Sequence, residues 1–228
     1  MDDKKGLDSP KKRRMDRERK RRRDAIIKIA EEFFISQGYE HTMVEKIAEK
    51  AGYSKATIYN YFDSKEDLFI AVESKVFENL LHTFENTLNQ PDVNYELRSL
   101  GDAYLIFVNR YPEYAGMFDP GQLGVVIRKM IEKEETNQPL TESEKEFRNH
   151  QLKIEKLMID VIRETIRNAE VQAKIDPFAV VMALSTLDSA IRELVMRGRA
   201  NNQSGEKSRE YLDVLFTIID KGLKHYDD

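Results

Sequence analysis

The 228-residue chain contains no cysteine and no tryptophan, and it has only 6 prolines, 10 glycines and 4 histidines. Without cysteine it can form neither a disulfide framework nor a thiolate metal site. The four histidines are too scattered along the chain to predict a metal site of another kind. The scarcity of glycine and proline disfavours an all-β sandwich, which needs many turns.

The sequence also lacks several features of membrane, secreted and catalytic proteins. No apolar run of about 18 residues or more occurs, so we predict no membrane-spanning helix. The first 23 residues contain no apolar segment like that of a secretory signal, and we expect the protein in the cytoplasm. The P-loop, HExxH, G-x-S-x-G and Rossmann patterns are missing, so we predict neither an enzyme nor a bound cofactor.

Charge is abundant but unevenly distributed. Residues 1–66 carry 17 Lys/Arg against 13 Asp/Glu, a net charge of +4. The remaining 162 residues carry 20 against 28, a net charge of −8. A basic head on an acidic body is expected when only one end of a protein meets phosphate. The distribution therefore indicates nucleic-acid binding at the N-terminal end, although the whole chain has a net charge of −4.

The spacing of apolar residues predicts an all-α chain, with no convincing strand and no internal repeat. We expect a flexible basic arm at 1–16, an N-terminal three-helix unit at 17–66 and a C-terminal helical unit at 67–228. The predicted helices lie at about 17–37, 43–51, 55–62, 64–88, 92–110, 122–134, 141–170, 177–199 and 206–226.

Capping signals mark several of the predicted helix ends. Thr42 to Glu45 has the pattern of a capping box, Ser54 is a good N-cap for a short helix, and Ser64 to Asp67 is a further capping signal. Gly38 stands where the first helix should end. Gly52 can supply the left-handed residue that a tight turn between two helices often needs.

Residues 42–62 have the pattern of a helix-turn-helix, two short helices joined by a tight turn. At about 100° per residue, Ile58 and Phe62 share the side that faces the core, and Asn60 points roughly away from them. Tyr59 and Tyr61 stand at the borders of the small, polar outward side. Such a side suits a major groove, where hydrogen-bonding groups read base edges and hydroxyls at the rim reach phosphates.

This region resembles the TetR family of bacterial regulators, through TMVEKIAEKAGYSKATIYNYFDSKEDLF at 42–69 and AEEFFISQGYEHT at 30–42. The resemblance covers about residues 20–70 in sequence, and the rest only in helix count and order. It implies a helix-turn-helix DNA-binding domain at 17–66 and an effector-binding and dimerisation domain at 67–228. It further implies phosphate contacts by Thr42, Ser54, Tyr59 and Lys65, and contacts to base edges or neighbouring phosphates by Lys55, Ala56, Thr57, Asn60 and Tyr61.

A basic run precedes the helix-turn-helix, with ten Lys/Arg and two acidic residues between 11 and 23. It is a solvated tail, an exposed start to the first helix, or a DNA contact, along phosphates or in the minor groove. We favour phosphate contacts, because charge runs of this kind are usually indifferent to base sequence. The residues concerned are Arg17, Arg19, Lys20, Arg21, Arg22 and Arg23.

The last two predicted helices carry wide apolar faces. These faces are wider than two terminal helices need if only one side of each packs against the rest of the chain. The family resemblance implies that they form a four-helix interface of a homodimer. A homodimer would read two half-sites of palindromic double-stranded DNA, about 34–36 Å apart or a multiple of it. The interface residues we predict are Leu184, Leu187, Ile191, Leu194, Leu215, Ile218 and Ile219.

The middle helices hold an effector pocket in the family that this chain resembles, and the segment 110–124, broken by proline and glycine, is a candidate gate or pocket wall. The candidate lining residues are Tyr104, Phe107, Tyr114, Met117, Phe118 and Met158, although core packing explains each of them singly. We expect a repressor released from a palindromic operator by a small, apolar effector of unknown identity, with the helix 64–88 as the lever. Control by a protein partner, no effector at all, and activation instead of repression stay open.

Overall fold

The computed structural model describes residues 10–91, 93, 96–116, 120–168 and, singly, 210, 214 and 217. Every regular element within these residues is helical, which confirms the all-α fold class. The helices predicted at 177–199 and 206–226 lie outside the described residues, apart from the three single positions. None of the helices in the described ranges is long and apolar enough to cross a membrane.

The chain divides into two compact units, Met1–Val72 and Glu73–Asp228. The division falls within a long helix, α4, which spans Lys65–Leu88. We refer to the two parts as the N-terminal and the C-terminal unit.

The first helix, α1, spans Pro10–His41 and is interrupted at Gly38, whose φ is 75° and ψ 167°. It begins earlier than residue 17, so the prediction of a flexible arm is wrong for residues 10–16. Arginine, lysine, methionine and glutamate are good helix formers, and proline suits the first helical position. These two preferences explain the early start. The positive φ of Gly38 confirms that the regular helix stops there, because residues with a Cβ avoid this conformation.

Two short helices follow in the N-terminal unit, α2 at Val44–Ala51 and α3 at Lys55–Tyr59. Their apolar sides pack with α1 and the start of α4 into one core. The ring of Phe34 meets that of Phe69 edge to face at 5.2 Å, a geometry that aromatic pairs prefer. The almost fully buried apolar residues of this core include Ile26, Ala30, Phe34, Ile47, Ala48, Ile58, Phe62, Leu68 and Phe69.

The start of α2 differs from the sequence prediction. Met43 is the N-cap residue and makes no side-chain capping bond. The Thr42 hydroxyl instead donates to the backbone carbonyls of Gly38 at 2.7 Å and Phe33 at 3.2 Å. The predicted capping box from Thr42 to Glu45 is therefore wrong. The Thr42 hydroxyl thus serves carbonyls near the end of α1 instead of N–H groups at the start of α2.

The start of α4 matches the predicted capping signal. The Ser64 hydroxyl accepts a hydrogen bond from the backbone N–H of Asp67 at 3.0 Å, and the Asp67 carboxylate accepts one from the N–H of Asp63 at 3.0 Å. The first bond satisfies an N–H group that the first turn of a helix leaves open, and the second holds the backbone just before that turn. They fix the point at which the chain leaves the turn after α3.

The C-terminal unit contains the rest of α4, then α5 at Leu97–Arg110, a 3₁₀ helix at Pro112–Gly116, α6 at Pro120–Glu135 and α7 at Glu142–Asn168. The predicted helix at 92–110 begins later, at Leu97. One core cluster joins α4, α5 and α7. Its buried members are Leu81, Phe84, Leu88, Leu97, Leu100, Ala103, Ile154, Val161 and Ile162.

A buried hydroxyl links the ends of two of these helices. The Thr165 hydroxyl on α7 accepts a hydrogen bond from the backbone N–H of Leu97 at 2.9 Å and donates to the Val161 carbonyl at 2.9 Å. Glu96, the N-cap residue of α5, makes no side-chain capping bond. Thr165 thus supplies from a distant part of the chain a partner that a capping residue usually gives locally.

Candidate nucleic-acid interface

The turn between α2 and α3 has the geometry of a helix-turn-helix. Gly52 lies in the left-handed region with φ 69° and ψ 28°, as its position in the sequence predicts. The N–H of Tyr53 then donates to the Ala48 carbonyl at 2.9 Å, and that of Gly52 donates to the Glu49 carbonyl at 3.1 Å. These bonds close the end of α2 and turn the chain directly into α3.

Ser54 is the N-cap of α3, as predicted. Its hydroxyl accepts a hydrogen bond from the backbone N–H of Thr57 at 3.1 Å and lies 2.8 Å from the Thr57 hydroxyl. The cap fixes the first turn of a helix that is only five residues long. It also places two hydroxyl groups side by side at the exposed start of α3.

Helix α3 and the three residues after it have one buried and one exposed side. Ile58 and Phe62 are each 1% exposed, which confirms that they face the core. We call the remaining positions the recognition face: exposed Ser54, Lys55, Ala56, Tyr59 and Asn60, with half-buried Thr57 and Tyr61. The face is small and polar at its centre and carries aromatic rings near its end. Its groups can donate to and accept from base edges and phosphates.

An ion pair holds the charged group of the recognition face. The Lys55 ammonium lies 2.5 Å from a carboxylate oxygen of Glu45 on α2. Hydrogen bonding and charge attraction between the two raise the pKa of Lys55 and lower that of Glu45. Lys55 also lies 5.8 Å from the centre of the Tyr59 ring. The lysine is therefore cationic and paired before any DNA is present.

Thr42 does not join the recognition face. Its side chain is buried, with 2% exposure, and its hydroxyl donates to carbonyls of α1. In this conformation the hydroxyl cannot reach a phosphate. The phosphate role that the family resemblance implies for Thr42 is therefore not supported by its position.

Lys65, at the start of α4, is held by the last residues of α1, beyond the break at Gly38. Its ammonium donates to the Glu40 carbonyl at 3.3 Å and lies 4.4 Å from the centre of the Tyr39 ring. Lys65 is half-buried. The Tyr39 hydroxyl is partly buried too, and burial raises its pKa. The positive charge thus has a defined position within the N-terminal unit.

The basic run lies on the N-terminal half of α1, mostly exposed. Arg17, Arg19, Lys20, Arg21 and Arg22 are exposed, and Glu18 pairs with Arg22 at 2.9 Å and with Arg21 at 3.3 Å.

Arg23 is different, because it is only 5% exposed and its guanidinium lies 5.4 Å from the centre of the Phe62 ring. The prediction that Arg23 contacts phosphate is therefore wrong for this conformation. Sequence spacing gives a signal for this, since Arg23 shares one helical stripe with Ile26, Ile27 and Ala30.

The residues predicted for a pocket occupy several positions in the C-terminal unit. Phe107 and Tyr114 are buried, with ring centres 6.3 Å apart, and Tyr114 stacks on Tyr111 at 5.3 Å. Tyr104 and Met158 are partly buried and pack against the core cluster. Met117 and Phe118 lie outside the described residues. The predicted dimer residues Leu184, Leu187, Ile191, Leu194, Leu215, Ile218 and Ile219 lie outside them as well.

The described ranges contain no group of three or more His, Cys, Asp or Glu side chains placed to hold a metal ion. Among the exposed carboxylates, that of Glu45 pairs with Lys55 and that of Glu49 with Lys46.

Comparison with known proteins agrees with the helix-turn-helix geometry. Residues 26–72 match the family model described as bacterial regulatory proteins, tetR family. The chain is 32% identical over 91 residues to the HTH-type transcriptional activator FasR of Mycolicibacterium smegmatis, a match that covers 40% of this chain and 42% of that protein. It is 25% identical over 172 residues to the fatty acid metabolism regulator protein of Bacillus subtilis, covering 75% of this chain and 82% of that protein. The first of these matches spans less than half of the relative's length.

A solved structure shares the fold over most of the chain. The transcriptional regulator FadR from Bacillus subtilis, in complex with stearoyl-CoA, has a TM-score of 0.55 and 18% sequence identity. The alignment covers 88% of this chain and 97% of that one. At this identity the likeness concerns the fold alone. The family match over 26–72 and the helix-turn-helix at 44–59 identify the N-terminal part of the chain as that of the tetR family of bacterial regulatory proteins.

Proposed function

We propose that this protein is a transcription regulator that binds double-stranded operator DNA through the recognition face. The observation that carries the proposal is the division of residues 54–62 into a buried side, Ile58 and Phe62, and an exposed polar side. An exposed helix with small and hydrogen-bonding side chains can enter a major groove and meet base edges there.

Within the recognition face we assign the central positions to bases and the outer ones to the backbone. Ala56, Thr57 and Asn60 would meet base edges, and Lys55 and Tyr61 would meet bases or neighbouring phosphates. The hydroxyls of Ser54 and Tyr59 would meet phosphates. Lys65, which is not part of the recognition face, would meet phosphates as well. Amide and hydroxyl groups supply the donors and acceptors that such contacts need.

The exposed basic residues of α1 extend this surface in our proposal. Arg17, Lys20, Arg21 and Arg22 would contact phosphates without regard to base sequence. Because residues 10–16 are helical, the contact would come from a rigid helix and not from a loose arm.

We further propose that the protein acts as a homodimer on a palindromic operator in the cytoplasm. A recognition helix of five residues reaches few base pairs, and a two-fold dimer doubles the number read. The apolar sequence stripes at 178–195 and 211–223 support an interface there, because both are wider than one-sided packing requires.

For the effector we propose a long-chain acyl thioester. Support comes from the fatty acid metabolism regulator of Bacillus subtilis, a relative aligned over 75% of this chain, and from the complex of FadR with stearoyl-CoA. An aromatic group of buried Phe107 and Tyr114 with half-buried Tyr111 lies in and just before the broken segment at 110–124 and offers apolar surface for such a chain. We propose release from the operator on binding, hence repression.

Two alternatives compete with this part of the proposal. Activation is one, because the relative FasR is named an activator. Control by a protein partner, or by no effector, is the other. Both leave DNA binding by the recognition face unchanged.

The DNA-binding proposal is tested by selecting duplexes from a random pool with the full-length chain. We expect a palindrome, and Asn60→Ala should lose the preference at one base pair in each half-site. Enrichment of no sequence would overturn the proposal. An asymmetric single site would overturn the dimer.

The effector proposal is tested by titrating stearoyl-CoA into the complex with the selected duplex. We expect weaker DNA binding with stearoyl-CoA but not with free coenzyme A, which lacks the acyl chain. No binding of stearoyl-CoA, or binding without any effect on the duplex, would overturn it. Transcription from a reporter with the selected operator, at low and high levels of the regulator, separates repression from activation.

A further inference from the structure

Two arginines of α1, about one helical turn apart, lie over two consecutive rings just after α3. The Arg19 guanidinium lies 5.0 Å from the centre of the Tyr61 ring, and that of Arg23 lies 5.4 Å from the centre of the Phe62 ring. Arg19 Nη2 also donates to the Asn60 carbonyl at 3.5 Å. The N-terminal part of α1 is therefore in contact with the end of the recognition face.

The other exposed arginines of this stretch make different contacts. Arg21 and Arg22 pair with Glu18, and their side chains are 80% and 50% exposed. Only Arg19 among these three has a stacking contact and a backbone hydrogen bond to the recognition face in the described structure. Its planar guanidinium suits this double contact, since one face covers a ring while an edge N–H donates.

The end of α3 needs such support because it is short and exposed. The helix ends at Tyr59, and Asn60 is its C-cap residue. Phe62 is anchored in the core, whereas Asn60 is exposed and Tyr61 only half-buried. A base contact by these two side chains requires a fixed backbone, because small displacements of a recognition element disrupt hydrogen bonds to base edges.

We propose that Arg19 is a positioning residue that holds Asn60 and Tyr61 for base recognition, and that its main role is not phosphate contact. The inference rests on the proposed DNA binding by the recognition face. Arg19 acts through the Tyr61 ring and the Asn60 carbonyl, so it sets base preference. The neighbouring Arg21 sets affinity alone.

A phosphate contact and a positioning contact respond differently when arginine is replaced by lysine. Lysine keeps the positive charge but cannot stack as a plane or present a forked set of donors. At a phosphate contact, lysine replaces arginine well, because charge neutralisation is what matters. At the proposed positioning contact, Arg19→Lys should fail almost as fully as Arg19→Ala.

The experiment uses the full-length wild-type chain, R19A, R19K and the matched pair R21A and R21K. Each protein is used to select duplexes from a random pool, and its affinity for the wild-type-selected duplex is measured across salt concentrations. Single base changes in that duplex measure discrimination, and N60A identifies the base pairs that depend on Asn60. Far-UV circular dichroism verifies that each variant is folded.

We expect R19A and R19K to lose at least about fivefold of the discrimination at the base pairs that N60A affects. For both variants, the slope of the logarithm of affinity against the logarithm of salt concentration should equal that of the wild type. R21A should instead weaken binding to every sequence and reduce the steepness of the slope by about 1.8, which is about 0.9 for each protomer of the proposed dimer, with R21K recovering most of the affinity.

Three outcomes would overturn the inference. One is R19A behaving like R21A, with a lower slope, unchanged base preference and recovery in R19K. Another is unchanged discrimination in both Arg19 variants while the wild type still selects a palindrome. The third is that the wild type selects no sequence, which removes the proposed function itself and the positioning role with it.

Discussion

The Lys55 ammonium lies 2.5 Å from the Glu45 carboxylate, so the first residue of the recognition helix is paired with the helix before it. Both side chains are more than half exposed. A phosphate approaching Lys55 would have to compete with this carboxylate. Glu45 therefore places a negative charge beside the surface that we propose for DNA.

Removal of the Glu45 charge should strengthen binding to DNA of unrelated sequence. For Glu45→Gln we expect about two- to fivefold higher affinity at low salt, with the gain shrinking as salt rises, because exposed charges are screened. Fluorescence anisotropy with a duplex of random sequence measures it.

Glu49→Gln is the matched control for the Glu45 variant. It removes the same charge from the same helix, where Glu49 pairs with Lys46 at 3.0 Å. An equal gain in both variants would mean that net charge alone matters. In that case the Lys55 pair has no particular role.

Ser54 combines a capping role with a proposed phosphate contact, and two substitutions separate them. Ser54→Ala removes the acceptor for the Thr57 N–H and should destabilise the protein by about 1 kcal/mol. Ser54→Asp keeps a capping acceptor and should retain stability, but its charge should repel a phosphate and abolish operator binding. Urea unfolding measures stability, and anisotropy measures affinity. Full DNA binding by Ser54→Asp would show that no phosphate lies near residue 54.

The recognition face could be predicted from the sequence because its determinants are local. Burial of Ile58 and Phe62 follows from the helical angle, and the left-handed turn follows from Gly52. The cap by Ser54 depends only on the next three residues. Each of these features needs no information from distant parts of the chain.

The errors at Thr42 and Arg23 have a different origin. The pattern from Thr42 to Glu45 fits a capping box, but the Gly38 and Phe33 carbonyls compete for the same hydroxyl and accept its hydrogen bond. Composition alone groups Arg23 with its basic neighbours, whereas its position on the apolar stripe of α1 decides its burial. In the second case attention to periodicity would have given the right result.

Support for α5 by Thr165 lies beyond sequence reasoning, because 68 residues separate it from Leu97. Thr165→Val keeps the shape but leaves the buried Leu97 N–H without this acceptor. We expect a loss of about 1–3 kcal/mol in the free energy of unfolding. Thr165→Ser should recover part of it.

A second valine variant serves as the control for Thr165→Val. The Thr87 hydroxyl donates only to the Thr83 carbonyl of its own helix, at 2.8 Å. Thr87→Val should therefore change the midpoint of urea unfolding little. Equal losses in both valine variants would contradict a special role for the Thr165 bond.

His150 on α7 lies against α4, where its Nδ1 is 3.0 Å from the Ser74 carbonyl and 3.1 Å from the Ser74 hydroxyl. Burial lowers the pKa of His150 below its ordinary value of 6.5, and the nearby Glu78 carboxylate partly opposes this effect. The uncharged imidazole is therefore the form that the folded protein favours.

The lowered pKa of His150 predicts how stability changes with pH. Below about pH 6.5 the unfolded chain takes up a proton at His150 that the folded chain does not yet bind, so stability falls as the pH falls. The fall continues until the folded histidine is protonated as well, and the effect vanishes above about pH 7.5. Thermal melts between pH 7.5 and 5.5 should show a smaller drop in Tm for His150→Gln than for the wild type. His82→Gln, which removes a 63%-exposed histidine of α4, should keep the wild-type drop, and the same drop in His150→Gln would contradict this assignment.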